Sequence, residues 1–210
     1  MKYTGLPLGM WALFSGSFQK NLTTVLGFDK AAAAEITKQA KAEYKAVIGK
    51  LPEFEKADRF AMNIVNCAML SAFYLHMDPK PSVDKMTEYY GKAMMTEPMK
   101  WFCRASGKNK FSPKDIRAMQ KTAAFKAADR NPYSWNMDYY EYEDGSGYEA
   151  RFSKCGICVL AGELGIAEIV PAMCALDYTM SEAGGASQFV REYTLASGGP
   201  YCDCGYRKKA

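Results

Sequence analysis

Asn131-Pro-Tyr-Ser-Trp-Asn-Met-Asp-Tyr-Tyr-Glu-Tyr-Glu-Asp-Gly-Ser-Gly-Tyr-Glu-Ala-Arg-Phe152 is the stretch where the hydrophobic period changes from helical to extended. Tyr133, Trp135, Met137 and Tyr139 alternate with Ser134, Asn136, Asp138 and Tyr140, which is the period of a strand with one buried face. Asp144-Gly-Ser-Gly147 is turn chemistry, and Tyr148, Ala150 and Phe152 alternate again on its far side. The stretch therefore predicts a hairpin. Beyond it, Gln188–Ala196 and Tyr201–Arg207 flank Ser197-Gly-Gly-Pro200 and predict a second one. Two helices fall between the hairpins. One follows Cys155 and ends near Gly165, and the other runs from about Ala167 to Ala183.

Before Asn131 the period is helical throughout. Asp29 is an N-cap, followed by Ile36, Ala40, Tyr44 and Val47. Asp58 opens a second helix in which Phe60/Ala61, Ile64/Val65, Ala68/Met69 and Ala72/Phe73 repeat every four residues. Ser82 opens a third, carrying Met86, Tyr90 and Met94, which Pro98 ends or kinks. Ser112-Pro-Lys-Asp115 sets an N-cap before a first-turn proline and an acid, and the next helix presents Ile116, Met119, Ala123 and Ala127. Helices followed by strands with helices between them make an α+β fold. The expected architecture is an N-terminal helical layer, about 1–130, packed on a C-terminal antiparallel sheet built from the two hairpins, about 131–207. Residues 1–210 are read as one domain.

Composition narrows the function. Of 210 residues 49% are apolar and 13% aromatic, enough for a core and against disorder. The 27 basic and 23 acidic residues are interspersed and leave a net charge of +4, so nothing implies nucleic acid. Phe60–Met77 lacks charge but contains Asn63, Asn66, Ser71 and His76, so it reads as a buried core helix and no membrane span is expected. Leu6–Phe14 has the outline of a signal peptide. Pro7 and Gly9 interrupt it, and it reads instead as an apolar arm on the core or on another subunit, in a possible homo-oligomer. No glycine-rich phosphate loop is present, and no cofactor is implied.

The cysteines carry the chemistry. Seven is an odd number, and five of them lie after residue 154. Reduced thiols in a cytoplasmic protein fit better than a disulfide framework. Cys155-Gly-Ile-Cys158 and Cys202-Asp-Cys204 leave open a thiol-based metal-binding or redox-sensing function, and equally a set of small buried side chains. No metal ligand set is assigned, because the spacing is unlike common zinc modules. His76, the only histidine, reads as a core residue. Cys174 and Asp177 stand three apart on one helical face. With Ala196 opposite Tyr201, Arg191 lies opposite Tyr206, and alternation puts Arg191, Cys202 and Cys204 on one face of the sheet. An Arg on such a face asks for a carboxylate.

Leu164-Gly165-Ile-Ala-Glu168-Ile-Val-Pro171-Ala-Met-Cys174-Ala-Leu-Asp177-Tyr178, Phe189-Val-Arg191-Glu-Tyr-Thr194-Leu-Ala-Ser-Gly198-Gly199 and Tyr201-Cys202-Asp203 together resemble the L-2-amino-thiazoline-4-carboxylic acid hydrolase family, and Cys155 fits the same pattern. The resemblance covers about Tyr133–Arg207. Cys204 departs from it, standing where an aromatic residue is more usual, and so does Glu192 within the Arg-x-x-Thr stretch. The resemblance implies hydrolysis of a small, cyclic, amidine-like ring derived from an amino acid, opening to a carbamoyl-cysteine. It also implies Cys174, Asp177, Cys155 and Cys202 as catalytic candidates, and Arg191 and Thr194 as groups that hold the substrate. If these residues form one site, the Ala167–Ala183 helix packs across the second hairpin with Cys174 and Asp177 inward.

Overall fold

The computed structural model describes residues 1–209. It contains an α+β fold in which a helical first half lies against one face of a four-stranded antiparallel sheet. The N-terminal apolar stretch is a helix, α1 (Leu6–Thr24), rather than an arm. Pro7 does not interrupt it, because a first-turn residue has no intrahelical acceptor for its N–H. Met10, Phe14, Phe18 and Leu22 bury one face of α1, and Trp11 stacks between Tyr44 and Phe73. Helix α2 (Lys30–Lys50) starts where Asp29 accepts from the Ala32 amide at 2.8 Å. Helix α3 (Ala61–Leu75) is buried without interruption from Ile64 to Tyr74. Among the described residues no helix is long and apolar enough to cross a membrane.

Two further caps, besides Asp29, fall where the sequence puts them. Ser82 accepts from the Lys85 amide to start α4 (Val83–Met94), and Ser112 accepts from the Asp115 amide to start α6 (Pro113–Ala127). Two other expectations need correction. Pro98 does not end α4, which stops at Met94; it sits in the first turn of a further helix, α5 (Glu97–Gly107), where proline costs nothing. Asp58 is not a cap of α3. Its carboxylate takes the fully buried Lys126 ammonium at 2.8 Å and the Ser134 hydroxyl at 2.7 Å, and Lys126 also reaches Asp129. This network rotates α6, so that Thr122 and Lys126 are its buried residues, while Ile116, Met119 and Ala123 are only half-buried and Ala127 is exposed.

The same network shortens the first strand. Asn131 Oδ1 accepts from the Tyr133 amide and Asp129 Oδ1 from the Asn131 amide, so the chain turns through Ser134. Trp135 and Met137 are buried from this turn, and β1 begins only at Asp138 (Asp138–Glu141). It pairs with β2 (Gly147–Phe152), and β3 (Ser187–Val190) pairs with β4 (Cys202–Lys208). The hairpins join through β2 and β4, giving the order β1-β2-β4-β3. Tyr148, Ala150 and Phe152 stand opposite Tyr206, Cys204 and Cys202.

In the second hairpin Phe189, not Arg191, faces Tyr206, and the ladder stops at Val190 opposite Gly205. The register is slipped by two residues, which leaves every side chain on its expected face. The ladder stops because the Asp203 carboxylate takes the Glu192 and Tyr193 amides, at 2.7 and 2.6 Å. Between the hairpins lie α7 (Gly156–Glu163), a 3-10 turn (Ala167–Ile169), α8 (Val170–Cys174) and α9 (Leu176–Gly184). The single helix expected over Ala167–Ala183 is thus broken after Cys174. The Tyr178 amide bonds to Ala175, and the Cys174 carbonyl is taken at 3.0 Å by Arg191 Nη1.

Candidate functional site

A cavity of about 450 Å³ lies between the helical layer and the sheet. Cys155, Cys174, Asp177, Arg191 and Cys202 all line it. The sheet supplies one wall through Ala150, Phe152, Cys202, Cys204 and Tyr206, α8 and α9 supply Cys174 and Asp177, and α3 supplies Asn66 and Cys67. Met62 and Phe102, both partly exposed, mark its opening.

Cys155 is the N-cap residue of α7, in extended backbone, and only 7% exposed. Its thiol is brought down to about 7. The neighbouring Cys158 thiol contributes most, working against burial. The Cys158 and Ile157 amides and the Trp135 indole N–H follow. The sulfur makes no close capping bond, so the amides act on it as dipoles at a helix start. Gly156 makes the arrangement possible. A Cβ there would fall on the Tyr133 carbonyl, so only glycine lets the Asn131–Trp135 turn lie against the start of α7.

The remaining thiols behave differently. Burial pushes Cys174 up to about 12 against the pull of Arg191. Burial also raises Cys202, although the Leu195 amide donates to its sulfur at 3.2 Å, and it raises Cys204. All seven cysteines are free. They do not form a ligand set: among the described residues no three His, Cys, Asp or Glu side chains converge as metal ligands would. Cys204 is itself a hydrogen-bond partner of a cation.

That cation is Arg191. Its Nη2 donates to Asp177 Oδ2 at 2.5 Å and to Cys204 Sγ at 2.9 Å, and its guanidinium lies 4.6 Å from the centre of the Phe189 ring. The Arg191 side chain is 7% exposed, whereas 40% of the Asp177 side chain is accessible. Asp177 nevertheless sits deep in the molecule, so its open side is the cavity rather than bulk solvent. Burial pushes its carboxyl up and Arg191 pulls it back. Arg191 Nε has no partner among the described residues.

Thr194 stands apart. Its hydroxyl caps the Leu195–Ser197 turn through Ser197, and it does not line the cavity. His76 ends α3 beside Glu43, also away from the cavity. Sequence reasoning missed Asn66, Trp135 and Lys110. Asn66 had a usable signal, as an amide inside a wide apolar helical face. Lys110 had none, since Lys108-Asn-Lys110 reads as solvated loop. In the fold the Lys110 ammonium lies 3.4 Å from the Tyr206 ring centre, and burial lowers it to about 8 against the pull of Asp115.

A helical layer over an antiparallel sheet encloses a cavity lined by a thiol brought down to about 7 and by a buried ion pair, and this is the α+β architecture of the chain. The L-2-amino-thiazoline-4-carboxylic acid hydrolase family model matches residues 61–206, and the chain belongs to that family. The match reaches back through α3–α6, well before the Tyr133 at which the motif resemblance begins. No curated protein and no solved structure matches the chain.

Proposed function

We propose that this protein hydrolyses a small cyclic amidine derived from an amino acid, of the 2-amino-thiazoline-4-carboxylate type, to the carbamoyl-cysteine. The observation that carries the reading is the Cys155 thiol, brought to about 7 and opening on the same cavity as the Arg191–Asp177 pair. Family membership supports the substrate class.

Cys155 is the nucleophile in this reading, because it alone of the cavity thiols is lowered, whereas burial keeps Cys174, Cys202 and Cys204 protonated. Its thiolate adds to the amidine carbon, the ring C–S bond breaks, and the ring sulfur leaves as a thiol after taking a proton. An S-amidino group remains on Cys155. Water adds to the same carbon, the Cys155 sulfur departs, and the carbon keeps the water oxygen as the carbamoyl C=O. The sum is substrate plus one water. Arg191, whose Nη1 keeps one N–H beyond the bond to the Cys174 carbonyl, takes the substrate carboxylate. Asp177 holds that guanidinium in place. Cys174 and Cys202 form the soft, neutral wall beside the ring. Thr194 has no part.

Cys155→Ala is expected to lower kcat for 2-amino-thiazoline-4-carboxylate by at least about 10³-fold, as loss of a covalent nucleophile does, with unchanged thermal unfolding. Cys174→Ala keeps kcat within about tenfold, the scale of a packing change beside a reacting group. Turnover that survives Cys155→Ala sinks the reading.

A further inference from the structure

Two cations line the cavity without a part in the hydrolysis, Lys110 and Arg59, and among the described residues neither pairs with a carboxylate. The Arg59 guanidinium reaches Thr122 Oγ1 at 3.3 Å and Met119 Sδ at 3.9 Å. The Lys110 ammonium has no hydrogen-bond acceptor among the described residues. It lies on aromatic faces instead, 3.4 Å from the centre of the Tyr206 ring and 4.9 Å from that of Tyr148. A ring face attracts the charge but leaves N–H donors free. Unlike Arg191 Nε, Lys110 Nζ is not sealed off, and the surface it keeps opens on the cavity. The carboxylate that draws on it, Asp115, is itself bonded to the Phe111 amide and the Tyr148 hydroxyl, at 2.9 and 2.8 Å.

Strand β4 sets the spacing. Cys202, Cys204 and Tyr206 alternate along it and all line the cavity, and same-face neighbours on a strand stand about 7 Å apart. The charge of Cys155 acts on Cys202, Arg191 bonds to Cys204, and Lys110 lies on Tyr206. From one end of the cavity to the other the order is therefore thiol, guanidinium, ammonium. A five-membered ring bound at Cys155 with its carboxylate on Arg191 stops short of Lys110. We propose that Lys110 is the seat of a second anionic group, and that the ligand of this protein is a dicarboxylic acid whose further carboxylate lies about one strand step beyond the one Arg191 takes. The thiazoline of the family's name carries a single carboxylate and is shorter. A cavity of about 450 Å³ has room for the longer molecule. The assignment deepens the hydrolase reading and rests on it for the seat of the first carboxylate, but its test reads binding and not turnover.

Isothermal titration of the whole protein with adipate and with its monomethyl ester isolates the second charge, since the two have nearly the same length. The native protein is expected to bind adipate at least about tenfold more tightly, the scale of one charge-assisted hydrogen bond. Malonate, too short to span the two cations, shows no such preference over its own monomethyl ester. Lys110→Met keeps the reach of the side chain without its charge and brings the adipate ratio within about twofold of one. Lys110→Arg keeps the charge and keeps the preference. If Lys110→Met does not fold, Lys110→Gln is read in its place. A native protein that binds adipate no better than the ester, or not at all, overturns the assignment. So does a preference as large for malonate, a Lys110→Met (or Lys110→Gln) protein that keeps the adipate preference, or a Lys110→Arg protein that loses it. Preserved preference in a native protein that turns over no thiazoline would count against the hydrolase reading alone.

Discussion

A thiol at the first turn of a helix gives up its proton more readily than a free one, because unpaired amide dipoles point at it. Cys155 occupies that place, but the Cys158 thiol lowers it most, and the Cys158 and Ile157 amides and the Trp135 indole add to the effect. Alkylation by iodoacetamide follows the thiolate, so its rate at Cys155 should rise with pH and reach half its plateau near pH 7. An ordinary cysteine does so nearer about 8.5. Trp135→Phe removes one N–H and should move the midpoint upward. A native midpoint at the ordinary value would mean that the thiol is not activated. Little of this was legible in the chain. Helical spacing sent Cys174 and Asp177 to the same cavity even though the helix breaks between them, and alternation put Arg191 with Cys202 and Cys204. The largest influence on Cys155 is the Cys158 thiol three residues on, but the Trp135 contribution comes from twenty positions earlier, folded back by a turn that no period reports.

Elements depart from their sequence patterns where a long-range polar contact outbids the local one. Arg191 takes the Cys174 carbonyl and breaks a helix that its own spacing would have continued. Asp203 takes two amides and ends the β3–β4 ladder early. Lys126 draws α6 round on its axis and ties it to Asp58, Asp129 and Ser134. Removing the ammonium would leave two enclosed carboxylates without a cation. Lys126→Met is therefore expected to lower unfolding stability by about 3–5 kcal/mol, measured by urea denaturation. Adding Asp58→Asn to it should recover part of the loss, because the remaining polar groups can then bond as neutrals. A Lys126→Met protein as stable as the native one would show that the network contributes no stability.

On the scale of the whole molecule, the layered architecture was readable because each layer has its own period, helical before Asn131 and extended after it. The cavity was not readable, because it exists only where α3, α9 and the sheet meet. The two parts of the chain share more than a contact surface: Asp58 precedes α3, while Ser134 lies in the turn before β1, and one ammonium bonds both. We propose that they unfold as a unit. Circular dichroism, which follows the helices, and fluorescence of Trp135, beside the sheet, in a protein whose Trp11 and Trp101 are replaced by phenylalanine, should report the same thermal midpoint. Separate midpoints would mean that the helical layer and the sheet are distinct cooperative units.

The close approach of Gly156 to the Tyr133 carbonyl has a consequence for anyone who surveys this chain by saturation mutagenesis. Every substitution at that position, even alanine, displaces the turn that brings Trp135 to Cys155, so position 156 would score as intolerant as a reacting residue. A glycine with no functional group would thus enter a map of the active centre, and the map would be reporting clearance between two backbones rather than chemistry.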